Sequence, residues 1–163
     1  AIYNVMFECA LKRSELKALS MSNVECVEND YQITVKDSVY RLSQVTSTAL
    51  QRWFAFTGTQ DELPVFRAID KHENISLQPL DDSSIYRILR SASDLLQLAE
   101  NHHFSGNSIR VGAAQELSKQ GLKVKEIQDF GRWLSPVMPA QYVGYSGTAE
   151  SEKMKFKALI PWQ

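Results

Sequence analysis

Apolar residues along this chain recur with two different periods, and the switches between them mark out the elements. Ile2, Val5, Met6, Cys9 and Ala10 fall at spacings of three and four, the pattern of a helix with one buried face. Two short extended runs follow at 24–27 and 31–35, and in the second Tyr31, Ile33 and Val35 alternate strictly with polar positions. Lys36-Asp37-Ser38 reads as a turn and 39–42 as the strand that returns from it. Thr46 or Ser47 is suited to cap a helix running through Leu50, Trp53 and Phe54 and stopping at Gly58. Residues 71–80 form a polar connection with room for a second small hairpin at 75–77.

The second half is helical. Asp81-Asp82-Ser83-Ser84 caps a long helix whose buried stripe is expected to be Ile85, Ile88, Leu89, Ala92, Leu95, Leu96 and Leu98. Asn107 or Ser108 then caps a helix built on Ile109, Ala113, Ala114 and Leu117, which Gly121 ends; this puts Arg110 in the first helical turn, where free backbone N–H groups also favour an anion. Val124, Ile127 and Phe130 line a shorter helix stopped by Gly131. Ser135-Pro136 starts another, with serine as cap and proline at the first helical position, and Tyr142 comes near its end. Residues 148–158 fit one more short helix, after which Leu159, Ile160 and Trp162 are too apolar to leave in water. The opening helix has no capping residue, so a further portion of the protein is expected upstream of Ala1.

Composition narrows the class. At 163 residues, 44% hydrophobic and 23% charged, the chain is sized for one domain with a real core and is not of the disordered type. No apolar run approaches the roughly 20 residues that span a bilayer, so a soluble protein is expected. Cys9 and Cys26 lack a paired spacing, which points to a reducing compartment and to buried free thiols. The formal net charge of −1 leaves nucleic acid open, because the local grouping of cations decides phosphate binding. His102-His103 has no cysteine or carboxylate at ligand spacing, and no metal site is expected.

The densest chemistry lies between Ser105 and Tyr145, in SGNSIRVGAAQELSKQGLKVKEIQDFGRWLSPVMPAQYVGY: an arginine on a helix, a tryptophan in a Gly-Arg-Trp turn, and a tyrosine nine positions later. This stretch resembles the catalytic core of the tyrosine recombinases, the phage-integrase family, which reads His-x-x-Arg, a small-residue patch, a Gly-His or Gly-x-Trp turn and then the nucleophilic tyrosine. The matching residues are Asn107, Arg110, Trp133 and Tyr142, with asparagine where the family has histidine. A second match is the run from Ala10 to Leu19, which is similar to the family's Leu-Arg-x-x-Glu-Leu-x-x-Leu. Aligning Glu15-Leu16 puts Lys12 at the arginine position. A shift of one residue on a helix turns a side chain by about 100°, so Arg13 replaces it only if the local backbone is not helical. Taken alone, Lys36 is an ordinary hairpin residue and Lys12-Arg13 a solvated basic face; the resemblance implies a catalytic lysine at Lys36.

The implied fold is α+β, mainly α, a tyrosine-recombinase catalytic domain with a small antiparallel sheet against a helical core. It would occupy 1–145, with the family's preceding helix and core-binding domain missing, and 146–163 would form a tail docking in cis or on a neighbouring subunit. The implied activity is site-specific DNA recombination through a 3′-phosphotyrosyl intermediate, with Tyr142, Arg110, Lys36, Trp133, Asn107 and Lys12 as the catalytic set. Arg13, Arg41, Arg87 and Arg132 are candidate DNA contacts. The implied partners are double-stranded DNA and further copies of the chain, as a tetramer on DNA, with no cofactor, nucleotide, metal or membrane, in the cytoplasm of a bacterium or phage-infected cell at the nucleoid. Lys12 keeps charge but loses the planar fork, and Asn107 cannot exchange a proton near neutral pH. A second reading is therefore a weakened or inactive DNA-binding relative, and a third is a type IB topoisomerase-like enzyme.

Overall fold

The computed structural model describes residues 1–145. The chain divides into two compact units, one of Ala1–Ile109 and one that begins at Arg110. The first carries all five strands described; the second is helical.

In the first unit, α1 (Ile2–Glu8) is followed by α2 (Arg13–Ala18), β1 (Val24–Val27), β2 (Asp30–Val35), β3 (Ser38–Arg41) and α3 (Gln44–Thr57). The three strands form one antiparallel sheet in the order β1-β2-β3, with Val24 opposite Ile33 and Val35 opposite Ser38. Alternation sends Ile33, Val35 and Tyr40 into the core, where they are buried with Val5, Met6, Leu11, Leu16 and Leu50. Helix α3 lies against β2, where the Tyr31 ring meets the edge of Phe54 at 5.4 Å and the Tyr31 backbone N–H donates to Ser47 Oγ at 3.0 Å. Glu8, the last residue of α1, joins α1 to α3: its carboxylate accepts the Ser43 N–H at 2.8 Å, the Ser43 hydroxyl at 2.6 Å and the Thr46 hydroxyl at 2.6 Å.

A second, two-stranded sheet pairs β4 (Arg67–Ile69) with β5 (Ile75–Pro79). Arg67, the first residue of β4, is buried and its side chain donates to the carbonyls of Ser76 (2.5 Å), Thr57 (2.9 Å) and Ile75 (3.4 Å), which satisfies its charge with backbone dipoles. Helix α4 (Asp82–Leu95) starts at Asp81, whose carboxylate accepts the Ser84 N–H at 2.6 Å.

Helix α5 (Gly106–Lys119) begins in the first unit and continues into the second, where α6 (Val124–Phe130) and α7 (Val137–Tyr142) follow. Pro136, expected as the first helical residue behind a Ser135 cap, is itself the N-cap of α7; its ring sets φ at −72, ψ is −8, and no side chain caps the helix. Gly121 lies just past α5 at φ +94, the left-handed conformation that ends helices.

Several sequence expectations are corrected. The cap of α3 is Ser43, whose Oγ accepts the Thr46 N–H at 3.2 Å; Thr46 and Ser47 are instead buried inside the helix, their hydroxyls on Glu8 and Tyr31. Helix α5 starts one residue before Asn107: the Ser108 N–H donates to Ser105 Oγ at 3.2 Å and the Ser105 N–H to Ser108 Oγ at 3.0 Å, so serine 105 closes the end. Arg110 is then the fifth helical residue, past the four whose N–H groups are free. On α4 the buried line is Ile85, Leu89 and Ser93, with Leu95 82% and Leu96 62% exposed. At about 100° per residue, Leu95 points some 120° from the centre of that line, and Leu96 lies past the last turn. Ser93 is buried because it is satisfied twice, donating to Leu89 O and accepting from Phe104 N. Cys9 is buried, whereas Cys26 is exposed on β1. The tail assigned to 146–163 lies outside the described residues.

Candidate functional site

The candidate residues fall in two groups, one in each unit. In the first, the short helix α2 is the organiser. Lys12 is its N-cap, extended at φ −74 and ψ 156, and its backbone N–H donates to the Glu15 carboxylate at 2.9 Å. Lys12 and Arg13 therefore do not share one helical cylinder as the sequence suggested, because Lys12 lies in the extended cap. Glu15 is 7% exposed. A charge taken that far from water needs compensation, and Lys36 Nζ stands 4.0 Å from Glu15 Oε1.

Lys36 is at the first position of the two-residue turn between β2 and β3, at φ +54. With its side chain 65% exposed, the ammonium is open to solvent on one side and faces a buried carboxylate on the other. Lys12, Glu15 and Lys36 line one open pocket of about 260 Å³ together with Ser14, Asn23 and Thr34. Glu15 entered the sequence reading only as an alignment anchor. Its burial, which ties the two lysines to one place, has no signature in composition.

In the second unit, Arg110 is 5% exposed and donates through Nη2 to Gly131 O at 2.6 Å. Its guanidinium carbon lies 4.4 Å from the centre of the Trp133 ring, within cation–π range. Tyr142 also packs against that ring: the centroids are 6.1 Å apart at 65°, an edge-to-face contact. Trp133 thus touches both the arginine and the tyrosine, a packing role that its lone N–H donor did not reveal.

The Gly-Arg-Trp turn makes this arrangement possible. Gly131 caps α6 at φ −89 and ψ 4, angles open to any residue, so its backbone does not demand glycine. Space does, because a β-carbon at 131 would fall within the Trp133 ring. Arg132 takes φ +57 and donates to Phe130 O at 3.1 Å. The end of the turn is held by Gln128 Nε2 donating to Trp133 O at 3.2 Å and by Trp133 N–H donating to Gln128 O at 3.0 Å. Tyr142 is the last residue of α7, and its carbonyl accepts Gln115 Nε2 at 3.2 Å.

The remaining candidates are placed as follows. Asn107 is exposed in the first turn of α5. Arg41 is paired with Glu28 at 3.0 Å and Asp30 at 3.7 Å, so part of its charge is answered within the protein. Arg87 donates to Ser84 Oγ at 3.0 Å and borders a largely apolar cavity of about 490 Å³ with Trp53 and Phe66. Among the described residues no group of three or more metal-ligating side chains occurs, and no helix is long and apolar enough to cross a membrane.

Comparison with known proteins matches the fold. XerA recombinase superposes with a TM-score of 0.69 at 17% identity, over 97% of this chain and 56% of that one. XerH site-specific recombinase, in a post-cleavage complex with a palindromic difH substrate, gives 0.68 at 13%, over 94% and 44%. The Tn1549 transposon integrase, in complex with a circular intermediate DNA, gives 0.60 at 13%, over 94% and 57%. The chain thus spans about half the length of these structures. No curated protein sequence matches it. The model of the phage integrase family matches residues 1–146, nearly all of the chain. With that match and a helical fold bearing small antiparallel sheets like that of the tyrosine recombinases, the chain belongs to the phage integrase family.

Proposed function

We propose that this chain is the catalytic portion, residues 1–145, of a site-specific tyrosine recombinase that cleaves and rejoins double-stranded DNA. The observation that supports this reading is the packing of the Arg110 guanidinium and the Tyr142 ring against Trp133; on this reading the guanidinium binds the phosphate and the tyrosine hydroxyl is the nucleophile. The Tyr142 oxygen attacks the scissile phosphorus, forming a 3′-phosphotyrosyl bond as the bond to the 5′ oxygen breaks. Arg110 neutralises charge on the non-bridging oxygens and Trp133 donates through its indole N–H. The Lys36 ammonium gives its proton to the departing 5′ oxygen, while the phenolic proton leaves with water, since Asn107 offers no basic nitrogen. Lys12 adds charge at the phosphate, and Arg13, Arg41, Arg87 and Arg132 contact the DNA backbone. Several copies act together on DNA, as a tetramer, in the cytoplasm at the nucleoid.

The test is covalent trapping on labelled native-site DNA carrying a nick beside the cleavage position, using the full-length protein. The parent should form a denaturant-stable adduct and Tyr142→Phe should form none. A parent that never forms the adduct on native-site DNA refutes the cleavage reading.

Lys12 and Asn107 favour a second reading, in which the same fold binds DNA with little or no cleavage. Losing acid–base help slows such reactions by about 100- to 10,000-fold. The double variant Lys12→Arg, Asn107→His distinguishes the two: an inert parent made active by the pair supports the second reading, and a parent already competent removes it.

A further inference from the structure

The start of α2 presents two neighbouring cations in different ways. Lys12 is half-buried at the cap and lines the pocket with Glu15 and Lys36. Arg13, the first helical residue, is exposed, and its stem lies along the backbone of Gly106: a β-carbon at 106 would stand 2.7 Å from Arg13 Cγ, 2.9 Å from Cδ and 3.2 Å from Nε. Gly106 is not among the glycines with positive φ, so its conformation would suit other residues and only the space occupied by the Arg13 stem requires glycine. Among the described residues no hydrogen bond or ion pair takes up the Arg13 guanidinium. Gly106 directly precedes Asn107, so the fork is held beside a residue of the proposed site.

A long side chain whose stem lies along a neighbouring backbone, with a charged head in water and no partner among the described residues, gives up less rotamer freedom on binding an anion than a stem free on all sides. The planar fork also supplies the two parallel N–H donors that a lysine ammonium does not. We propose that Arg13 supplies the guanidinium contact to a DNA phosphate next to Asn107, in place of the bidentate grip that Lys12 lacks, and that Gly106 is its positioning residue. The extended cap at Lys12 removes the geometric objection to a one-residue shift, because the two side chains do not leave a common helix. This inference rests on the DNA-acting reading above, but not on cleavage.

The experiment measures binding of full-length protein to a fluorescent mixed-sequence duplex between 50 and 300 mM NaCl, alongside nicked-site trapping. Arg13→Ala should weaken binding roughly tenfold and reduce the slope of log K against log salt by about 0.9, one phosphate contact. Gly106→Ala leaves every charge in place but fills the space under the stem; it should weaken binding several-fold in the parent and have no effect in an Arg13→Ala background. A merely structural role would not move the salt slope, and urea unfolding midpoints of the variants should match the parent. An unchanged slope in Arg13→Ala, an effect of Gly106→Ala that persists without Arg13, or a parent that binds no DNA overturns the inference. Failure of Arg13→Ala to change binding while Tyr142 still traps DNA leaves the recombinase reading intact. A changed slope without any adduct does the reverse.

Discussion

Gly131→Ala should reverse the sign of its effect on stability when Trp133 is removed. In the parent, the new methyl group would occupy the position of the Trp133 ring, so the ring must leave. It then gives up its cation–π contact with the buried Arg110, up to about 2 kcal/mol for a desolvated pair, and its edge contact with Tyr142, about 0.5–1.5 kcal/mol. Against this stands a gain of about 0.4–1 kcal/mol, because alanine narrows the unfolded ensemble at a position whose φ of −89 it adopts without strain. The net expectation is a loss of about 1–3 kcal/mol in the parent. In a Trp133→Ala background the methyl group has no ring to displace and only the gain of about 0.4–1 kcal/mol remains. Urea unfolding of the four proteins of this cycle, with free energies compared at a common denaturant concentration, measures both numbers. Equal destabilisation in the two backgrounds would mean that Gly131 is required for its backbone and not for the ring. Trapping on nicked DNA adds a second readout: Gly131→Ala should reduce adduct formation along with Trp133→Ala, and the double variant should be no slower than Trp133→Ala alone.

Two further predictions concern the scaffold. The backbone N–H of Ser84 holds the Asp81 carboxyl below its ordinary value of 3.8, so its stabilising contribution is present above that pH and is lost as pH falls through the lower folded value; Asp81→Asn, which also caps, should flatten this acid limb in urea midpoints measured from pH 5 to 2, and identical limbs would count against the capping account. Arg67→Met should cost about 3 kcal/mol by leaving three carbonyls without their charged donor, with amide exchange in β5 accelerating more than in β2; uniform acceleration would place Arg67 outside the local support of the second sheet.

What the sequence made legible was set by side-chain periodicity and by residues with few conformational alternatives. The alternation of Tyr31, Ile33 and Val35 fixed β2, the glycines at 58 and 121 fixed two helix ends, and Pro136 marked the start of α7 to within one residue, without the serine cap expected before it. The order Arg110, Trp133, Tyr142 suggested a common site, and within the second unit these three side chains are packed together. Helix caps were less legible, because Ser43, Thr46 and Ser47 are chemically equivalent candidates and only the chain's entry into α3 selects among them. Leu95 was misplaced because, at about 100° per residue, it points some 120° away from the buried line of α4. The closeness of Trp133 to Gly131, and of Arg13 to Gly106, depends on van der Waals contact at a glycine. A glycine in sequence does not say whether it serves conformation or space. The burial of Glu15 was hidden for a related reason: a carboxylate in a polar run looks solvated until a β-hairpin folds over it.

The left-handed backbone at Lys36 has a consequence for anyone who would engineer this chain. A lysine at φ +54 holds the hairpin turn less well than glycine would, by about 1 kcal/mol. A library screened for thermal robustness alone would therefore enrich Lys36→Gly early and, on the reading proposed above, discard the proton donor while appearing to improve the protein. Selection for survival on heating and selection for strand exchange should pull this one position in opposite directions, which makes residue 36 a sensitive indicator of the pressure a given lineage has been under.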